Sequence, residues 1–476
     1  MIFKQYYLKS LSHASYLIGD EGTHVAVIID PQRDIEQYLV DLESHGLKLK
    51  YVFLTHFHAD FVAGHLDLHH QTGAEICLGA KAHTDYAFHA VHDGFEVELG
   101  TIRLKILETP GHTPEGISLL VYDQTKSLEQ PYAVLTGDTL FVDDVGRPDV
   151  MAAVGYDPKV LAGQLYDSLH EKLLGLPDEV LLYPAHGAGS LCGKQLGAET
   201  SSTIGTQRQR NYALQPMSKE AFVELVTTDL PEAPEYFGYD AFLNRREHPT
   251  LHDRLKQTLK SLELDDVIHL KSSRAQIVDV RTPEEFAMGH MCGNLNISLD
   301  GKFETWSAIM LTREQPIVVI AEPGQEREAM IRLARVGYDH IAGYLHRGPH
   351  ALASTPELTL RTHRISATHL SELIMTTNRP HILDVRSKDE WAQRHIDESR
   401  NIPLPELTQH LLEIPTDHSV VVHCAAGYRS SIAVSLLEHH GFTNMKDLVG
   451  GFNAWEEQVV NPSLQSSESL QQAGGR

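Results

Sequence analysis

Cysteine is scarce in this chain: 476 residues hold only Cys77, Cys192, Cys292 and Cys424, widely spaced and never as a C-x-x-C pair. That argues against a disulfide framework and against a structural zinc knuckle, and a reducing compartment suits such a chain. Basic residues are also short. Lys and Arg number 40 against 64 Asp and Glu, for a net charge of −24, and no Lys/Arg cluster reaches the density of a phosphate-tracking surface. Nucleic acid and anionic membranes are therefore poor candidate partners. Long hydrophobic runs are missing as well. The opening stretch MIFKQYYLKSLSHASYLIGD is interrupted by Lys4, Gln5, Lys9 and His13 before it reaches signal-peptide length, and no later run is long enough to span a bilayer. The expected location is cytoplasmic.

What is present begins with a repeat. Ile277-Val-Asp-Val-Arg281 and Ile382-Leu-Asp-Val-Arg386 match, and at the same offset Glu285 pairs with Glu390, Ala287 with Ala392, His290 with His395, Asn296 with Asn401, Ile297 with Ile402 and Leu299 with Leu404. A repeat this long is a duplicated domain; solenoid units are far shorter. Each copy reads as α/β: an apolar strand leads into a charged helix, then a β-branched run (PIVVI, SVVVH) leads through a short loop into a second helix. Gly337 and Gly441 fall where that second helix should end in a left-handed cap.

The residues before the repeat follow a different pattern. Strand-like SYLIG and HVAVII precede a predicted helix with Ile35, Tyr38, Leu39 and Leu42 on one stripe, and then YVFL, EICLGA, FEVELG, IRLKIL, GISLLVY and YAVLTG read as further strands. The Pro-rich LPEAPEYFGYD reads as a connector. The expected division is a first domain over 1–245, two repeat domains over 246–355 and 356–462, and a polar, disordered tail over 463–476.

Chemistry concentrates in two places. The first is Thr55-His56-Phe57-His58-Ala59-Asp60-Phe61, followed by Thr109-Pro-Gly-His112-Thr, Thr136-Gly-Asp138-Thr and Tyr183-Pro-Ala-His186-Gly. These put His and Asp side chains in loops that cap separate strands, where they can converge on one ion. One histidine among 30 means little, but four motifs in this order resemble the metallo-β-lactamase superfamily. Gly137-Asp-Thr-Leu-Phe141 followed by Val145-Gly-Arg147-Pro-Asp149 resembles its persulfide dioxygenase branch. The resemblance implies an αββα sandwich with the site at one end of two sheets, and it assigns one Fe(II) per chain to His56, His112 and Asp138. Two histidines and a carboxylate leave positions free for substrate and dioxygen.

In hydrolases of the superfamily, such as glyoxalase II, the loop reads His-x-His-x-Asp-His, and its last two residues help to hold a second zinc. Position 61 here is Phe, which cannot ligate, so the resemblance implies one metal. His58, Asp60 and His186 are then expected either to orient ligands or water or to keep only a packing role. Arg147 is expected to organise the pocket or to form a structural ion pair. Cys192 is expected to hold a persulfide in transit or to be an inert buried thiol, and Cys77, on a strand, is expected in the core.

The second place is Val421-Val-His-Cys424-Ala-Ala-Gly427-Tyr-Arg429-Ser430-Ser431, a strand, loop and helix that set Cys424 among backbone N–H groups at a helix N-terminus, with Arg429 adding positive charge. Such a field stabilises an anionic sulfur and the cysteine persulfide formed from it. The loop resembles a rhodanese, a doubly wound parallel-sheet domain. Cdc25-type phosphatases share that fold but need Cys-x5-Arg, and here the Arg comes one residue sooner. The first copy reads Ala321-Glu-Pro-Gly324-Gln-Glu326-Arg327, with no cysteine and with acidic residues where anionic sulfur should sit. It is expected to be a scaffold, and Cys292, in its earlier helix-to-strand segment, does not restore the chemistry.

Together the resemblances imply a fusion that oxidises a low-molecular-weight persulfide with dioxygen to sulfite and moves sulfane sulfur through Cys424 to form or consume thiosulfate, as in sulfide detoxification. The thiol carrier, glutathione, coenzyme A or another small thiol, and the direction of transfer stay open. The alternative is a dinuclear zinc thioester hydrolase with an accessory rhodanese. A homo-oligomer is expected by analogy only.

Overall fold

The computed structural model describes residues 1–230 and 232–460. The tail over 463–476, expected to be disordered, lies outside the described residues. Contacts divide the chain into two compact units, one of Met1–Arg254 with Ile331–Asp339 and one of Leu255–Met330 with the residues from His340 onward.

In the first unit, strands Ile2–Leu8, His13–Asp20, Val25–Ile29, Lys48–Phe53, Glu75–Gly79 and His89–Val91 pair in that order. A second sheet runs Ser202–Thr203, Leu181–Pro184, Ala133–Gly137, Ile117–Asp123, Ile102–Glu108, Glu96–Leu99. Side-chain alternation explains the layering. Ile18, Val27, Ile29 and Phe53 of one sheet meet Leu104, Ile106, Leu119, Val121 and Leu135 of the other in a common core. The alternate residues Leu17, Ala26, Ile28 and Val52 turn outward onto Tyr38, Leu42 and Leu68 of two helices, Glu36–Ser44 and His65–Thr72. On the far side, Leu120, Val134 and Leu182 pack against Leu165 and Phe222 of helices Pro158–Asp167 and Lys219–Thr227. A strand buried on both faces reads as a near-continuous apolar run, as Val25–Ile29 and Ala133–Gly137 do, and the result is an αββα sandwich. Cys77 lies in the inter-sheet core, where burial pushes its thiol up to about 12.

The second unit holds two five-stranded, wholly parallel sheets. Their spatial orders are Ser261–Leu262, Ile341–Leu345, Ile317–Ile320, Gln276–Asp279, Leu295–Asn296 and His363–Ile365, Met445–Leu448, Val420–His423, His381–Asp384, Arg400–Asn401. The shared order is the three-dimensional form of the sequence repeat. Gly337 and Gly441 take the left-handed conformation, with φ of 76° and 87°, as expected of helix ends. Among the described residues, no helix is long and apolar enough to cross a membrane.

One expectation fails. The Pro-rich connector is in part a helix, Tyr236–Leu243, because Tyr236 and Phe237 bury their rings and Pro234 precedes the first turn, where a missing N–H costs nothing. The helix delivers Asn244 to the His56 loop, as described below.

Arg33 is the largest fully buried side chain of the first unit. It donates to the Ala334 carbonyl at 2.5 Å and pairs with Asp339 at 2.9 Å, both in the returning segment. Removing Arg33 strips the Ala334 carbonyl of its donor and leaves Asp339 with the longer, 3.5 Å pair to Arg254. Arg33→Ala should therefore lower the stability of this unit by about 3–5 kcal/mol, read as a shifted urea midpoint of the transition that unfolds it.

Candidate functional site

Every candidate ligand lies just beyond a strand end on the same edge of the two sheets. His56, His58 and Asp60 follow strand Lys48–Phe53, His112 lies between Ile102–Glu108 and Ile117–Asp123, Asp138 follows Ala133–Gly137, and His186 follows Leu181–Pro184. Gly137, at φ 53°, makes the turn that aims Asp138, and a Cβ there would come within 2.5 Å of the Thr55 hydroxyl.

Hydrogen bonds fix the state of the two central imidazoles. The Thr55 hydroxyl donates to Asp30 at 2.9 Å and so accepts from His56 Nδ1 at 2.9 Å. His112 Nδ1 donates to the Arg147 carbonyl at 2.8 Å. Each ring therefore turns its Nε2 lone pair inward, and neither Nε2 has a hydrogen-bond partner although both rings are buried. They lie 3.7 and 3.5 Å from Asp138 Oδ2. Burial and the neighbouring His58 hold His56 well below the ordinary histidine range, and burial lowers His112 too, so both are neutral. Burial works against the charge of Asp138, but His186, hydrogen-bonded to it, outweighs burial and keeps the carboxylate ionised. Two bare nitrogens and one carboxylate around a cavity of about 10 Å³ lined by Thr55, His56, His112 and Asp138 fit a single divalent ion.

Phe61 is buried, its ring centroid 4.2 Å from that of His13 and 4.5 Å from that of His58. Its ring offers no donor atom to the histidines it touches. Donor atoms nevertheless gather in two more groups, His58 with Asp60 and His186, and Asp138 with His186 and Cys192, each within 4.8 Å. His186 lies between two carboxylates, with Nδ1 2.8 Å from Asp138 Oδ1 and Nε2 3.0 Å from Asp60 Oδ2. Burial opposes its charge, but the two carboxylates raise it well above the ordinary range. Burial, then Asp60 and Asp138, push the Cys192 thiol well up. Arg147 combines two functions: its guanidinium makes two 2.7 Å bonds to Asp149, and its carbonyl orients His112.

The sequence motifs miss three residues that hold the loop. Asp30, at φ 52°, accepts from Thr55 N and the Thr55 hydroxyl and lies 3.1 Å from His58 Nε2. Glu115 accepts from Phe57 N at 3.0 Å. Asn244 donates to the His58 and Phe61 carbonyls at 2.8 Å each and accepts from Ala63 N at 2.8 Å. Only Asp30, next to Pro31 at a strand end, carried a local signal.

Cys424 follows strand Val420–His423 directly and is buried; Gly427 N donates to its sulfur at 3.1 Å. Arg429 is tied to Glu390 by two bonds of 2.7 Å, which hold the Glu390 carboxyl down to about 2 against the effect of burial. Its charge is thus matched by Glu390, and the nearest donor to the sulfur is the loop backbone. The cysteine-less copy grips the helix Tyr428–His439: the Tyr428 hydroxyl donates to Ser298 O at 2.8 Å, Ser431 donates to Asn296 Oδ1 at 2.5 Å, and Asn296 N donates to Ser435 at 2.9 Å. In that copy the residue directly after the corresponding strand is Ala321, and Cys292 is exposed.

Two family models match: metallo-beta-lactamase superfamily over residues 9–186 and rhodanese-like domain over 263–354 and 366–458. The chain is 30% identical over 235 residues to the mitochondrial persulfide dioxygenase ETHE1 of Bos taurus, covering 49% of this chain and 83% of that one. It is 35% identical over 174 residues to the cytoplasmic hydroxyacylglutathione hydrolase of Arabidopsis thaliana, covering 36% and 62%. A crystal structure of a metallo-beta-lactamase from Staphylococcus aureus subsp. aureus COL aligns with a TM-score of 0.64 at 33% identity, covering 72% of this chain and 98% of that one.

Gly146 leaves room for the ligand cradle, since a Cβ there would lie 1.9 Å from Asp138 O and 3.0 Å from His112 Nδ1. Gly146→Ala should weaken metal binding by roughly 10- to 100-fold, measured by competition with a chelator, while the far-ultraviolet circular dichroism stays native.

Proposed function

Because the chain belongs to the metallo-β-lactamase superfamily and carries two rhodanese-like domains after that domain, we propose that it is a persulfide dioxygenase and sulfurtransferase in one polypeptide. It takes a low-molecular-weight persulfide and dioxygen to sulfite, and passes sulfane sulfur through Cys424 to form or consume thiosulfate. The observation that carries the first half is the pair of bare, buried Nε2 atoms beside Asp138, with Phe61 offering no donor atom. Ferrous iron held by His56, His112 and Asp138 would supply the redox chemistry that joins dioxygen to sulfur.

The protein's own groups prepare that site. Thr55 and the Arg147 carbonyl keep both imidazoles in the ligating tautomer, which removes reorganisation on binding. His186, protonated between Asp60 and Asp138, orients the Asp138 carboxylate and holds a proton at the edge of the site. Cys192 remains a protonated thiol beside Asp138, so we assign it to orienting that carboxylate and leave sulfane transfer to Cys424. At Cys424 the Gly427 N–H is placed to stabilise an anionic persulfide, and Arg429 and Glu390 brace the loop.

The second donor group, His58 with Asp60 and His186, favours a second reading, a dinuclear zinc hydrolase of acyl-glutathione with an accessory rhodanese. Metal analysis with oxygen consumption on glutathione persulfide separates the two. One iron per chain and oxygen uptake support the dioxygenase; two zinc ions, no uptake and thioester cleavage overturn it. Cys424→Ser should leave sulfite release within about twofold of wild type while abolishing thiosulfate formation. His112→Ala should lower oxygen uptake more than about a hundredfold and leave sulfur loading of Cys424 intact.

A further inference from the structure

Behind Cys424 lies a chain of buried polar groups that sulfur-transfer chemistry at the loop does not by itself require. Cys424 Sγ is 3.7 Å from Ser430 Oγ, Ser430 Oγ is 2.7 Å from Asp447 Oδ1, and Asp447 Oδ2 accepts from Arg364 Nε at 2.9 Å. Arg364 also pairs with Glu284 at 2.7 Å. Ser430 and Asp447 are almost wholly buried.

The one Ser430 hydroxyl proton settles the logic. At 2.7 Å from a carboxylate oxygen and 3.2 Å from the Gly427 carbonyl, it goes to Asp447. Ser430 then offers Cys424 only a lone pair, which suits an S–H donor and opposes a thiolate. For the serine to support an anionic sulfur it must turn its proton toward Cys424, and Asp447 must then carry a proton of its own. Charging the sulfur and neutralising the carboxylate are therefore one event.

We propose that Asp447, acting through Ser430, accepts the proton of Cys424 during sulfur loading, an inference that rests on the sulfurtransferase reading above. The Cys424 S–H proton passes to Ser430 Oγ as the Ser430 O–H proton passes to Asp447 Oδ1. The thiolate attacks the outer sulfur of thiosulfate, the new S–S bond forming from the Cys424 electron pair while the old S–S bond leaves its pair on sulfite. A cysteine persulfide anion, a neutral carboxyl and sulfite result, so atoms, charge and electrons balance without an outside oxidant. Ser430 then donates to the anionic sulfur together with Gly427 N–H, and the return transfer reverses each step.

Asp447 touches no reacting atom. Burial pushes its carboxyl up while Ser430 and Arg364 pull it down, consistent with a group that takes up a proton. The other charges facing the relay are already matched: Arg364 keeps Glu284 when Asp447 is neutral, Arg429 is bound by Glu390, and Asp384, bonded to Arg386, lies 3.5 Å from the buried His423.

The test is the rate at which the full-length protein loads one sulfur from thiosulfate onto Cys424, followed by mass spectrometry of quenched protein between about pH 6 and 9. Wild type should be nearly flat with pH. Asp447→Asn should be slower by on the order of a hundredfold at neutral pH and recover as the medium becomes alkaline. Ser430→Ala, which keeps the Asp447–Arg364 pair, should behave likewise, and Ser430→Thr should restore the flat profile. Variants that match wild type, or that lose activity equally at every pH, overturn the relay alone. Wild type that takes no sulfur onto Cys424 overturns the sulfurtransferase reading and the relay with it.

Discussion

A buried imidazole nitrogen with no partner is costly, and this protein keeps two of them facing one carboxylate. His56 and His112 are each held in a single tautomer by a bond on the far side of the ring, to the Thr55 hydroxyl and the Arg147 carbonyl. Both bonds depend on further structure: Thr55 is committed to Asp30, and Arg147 is held by its guanidinium bonds to Asp149 and by its backbone N–H to the Cys192 carbonyl. The unpaired atoms are thus a consequence of the whole loop cluster, and an ion is what would satisfy them. The sandwich serves to bring the ends of its strands to one edge, where these loops meet.

The two units follow the same rule with different donors. In the first, side chains converge to hold a cation. In the second, a backbone N–H at a strand-to-helix turn donates to the sulfur of Cys424, and the Cys424 loop is held by a helix bonded to the copy without a cysteine. That copy has Ala321 where the other has Cys424, and its Asn296 and Ser298 bond to the helix that follows Cys424. Loss of chemistry and retention of packing are compatible, because a doubly wound sheet is stabilised by its apolar strands whatever its loops carry.

Much of this was legible in the order of residues. The repeat matched two sheets of one topology, the apolar runs matched the buried strands, and His56, His112 and Asp138 came together as their motifs implied. Less legible were the parts that depend on partners far along the chain. The segment around Tyr236 looked like a connector because proline density is a local signal, whereas the burial of two aromatic rings that makes it a helix is not. Asn244, almost two hundred residues from the loop it holds, had no motif to announce it.

The sequence by itself determined which atoms are available: two imidazoles and a carboxylate at strand ends, a phenyl ring at position 61, and a cysteine at the start of a helix. These follow from residue type and short-range periodicity, which act over a few residues. Only the tertiary structure decided their states. The tautomers of His56 and His112, the setting of His186 between two acids, the pairing of Arg429 with Glu390 and the alignment of Ser430 with Asp447 all arise where water is excluded and remote segments supply the partners. In that setting the free energy of a proton or a charge is set by its neighbours in space, and the order of residues does not list them.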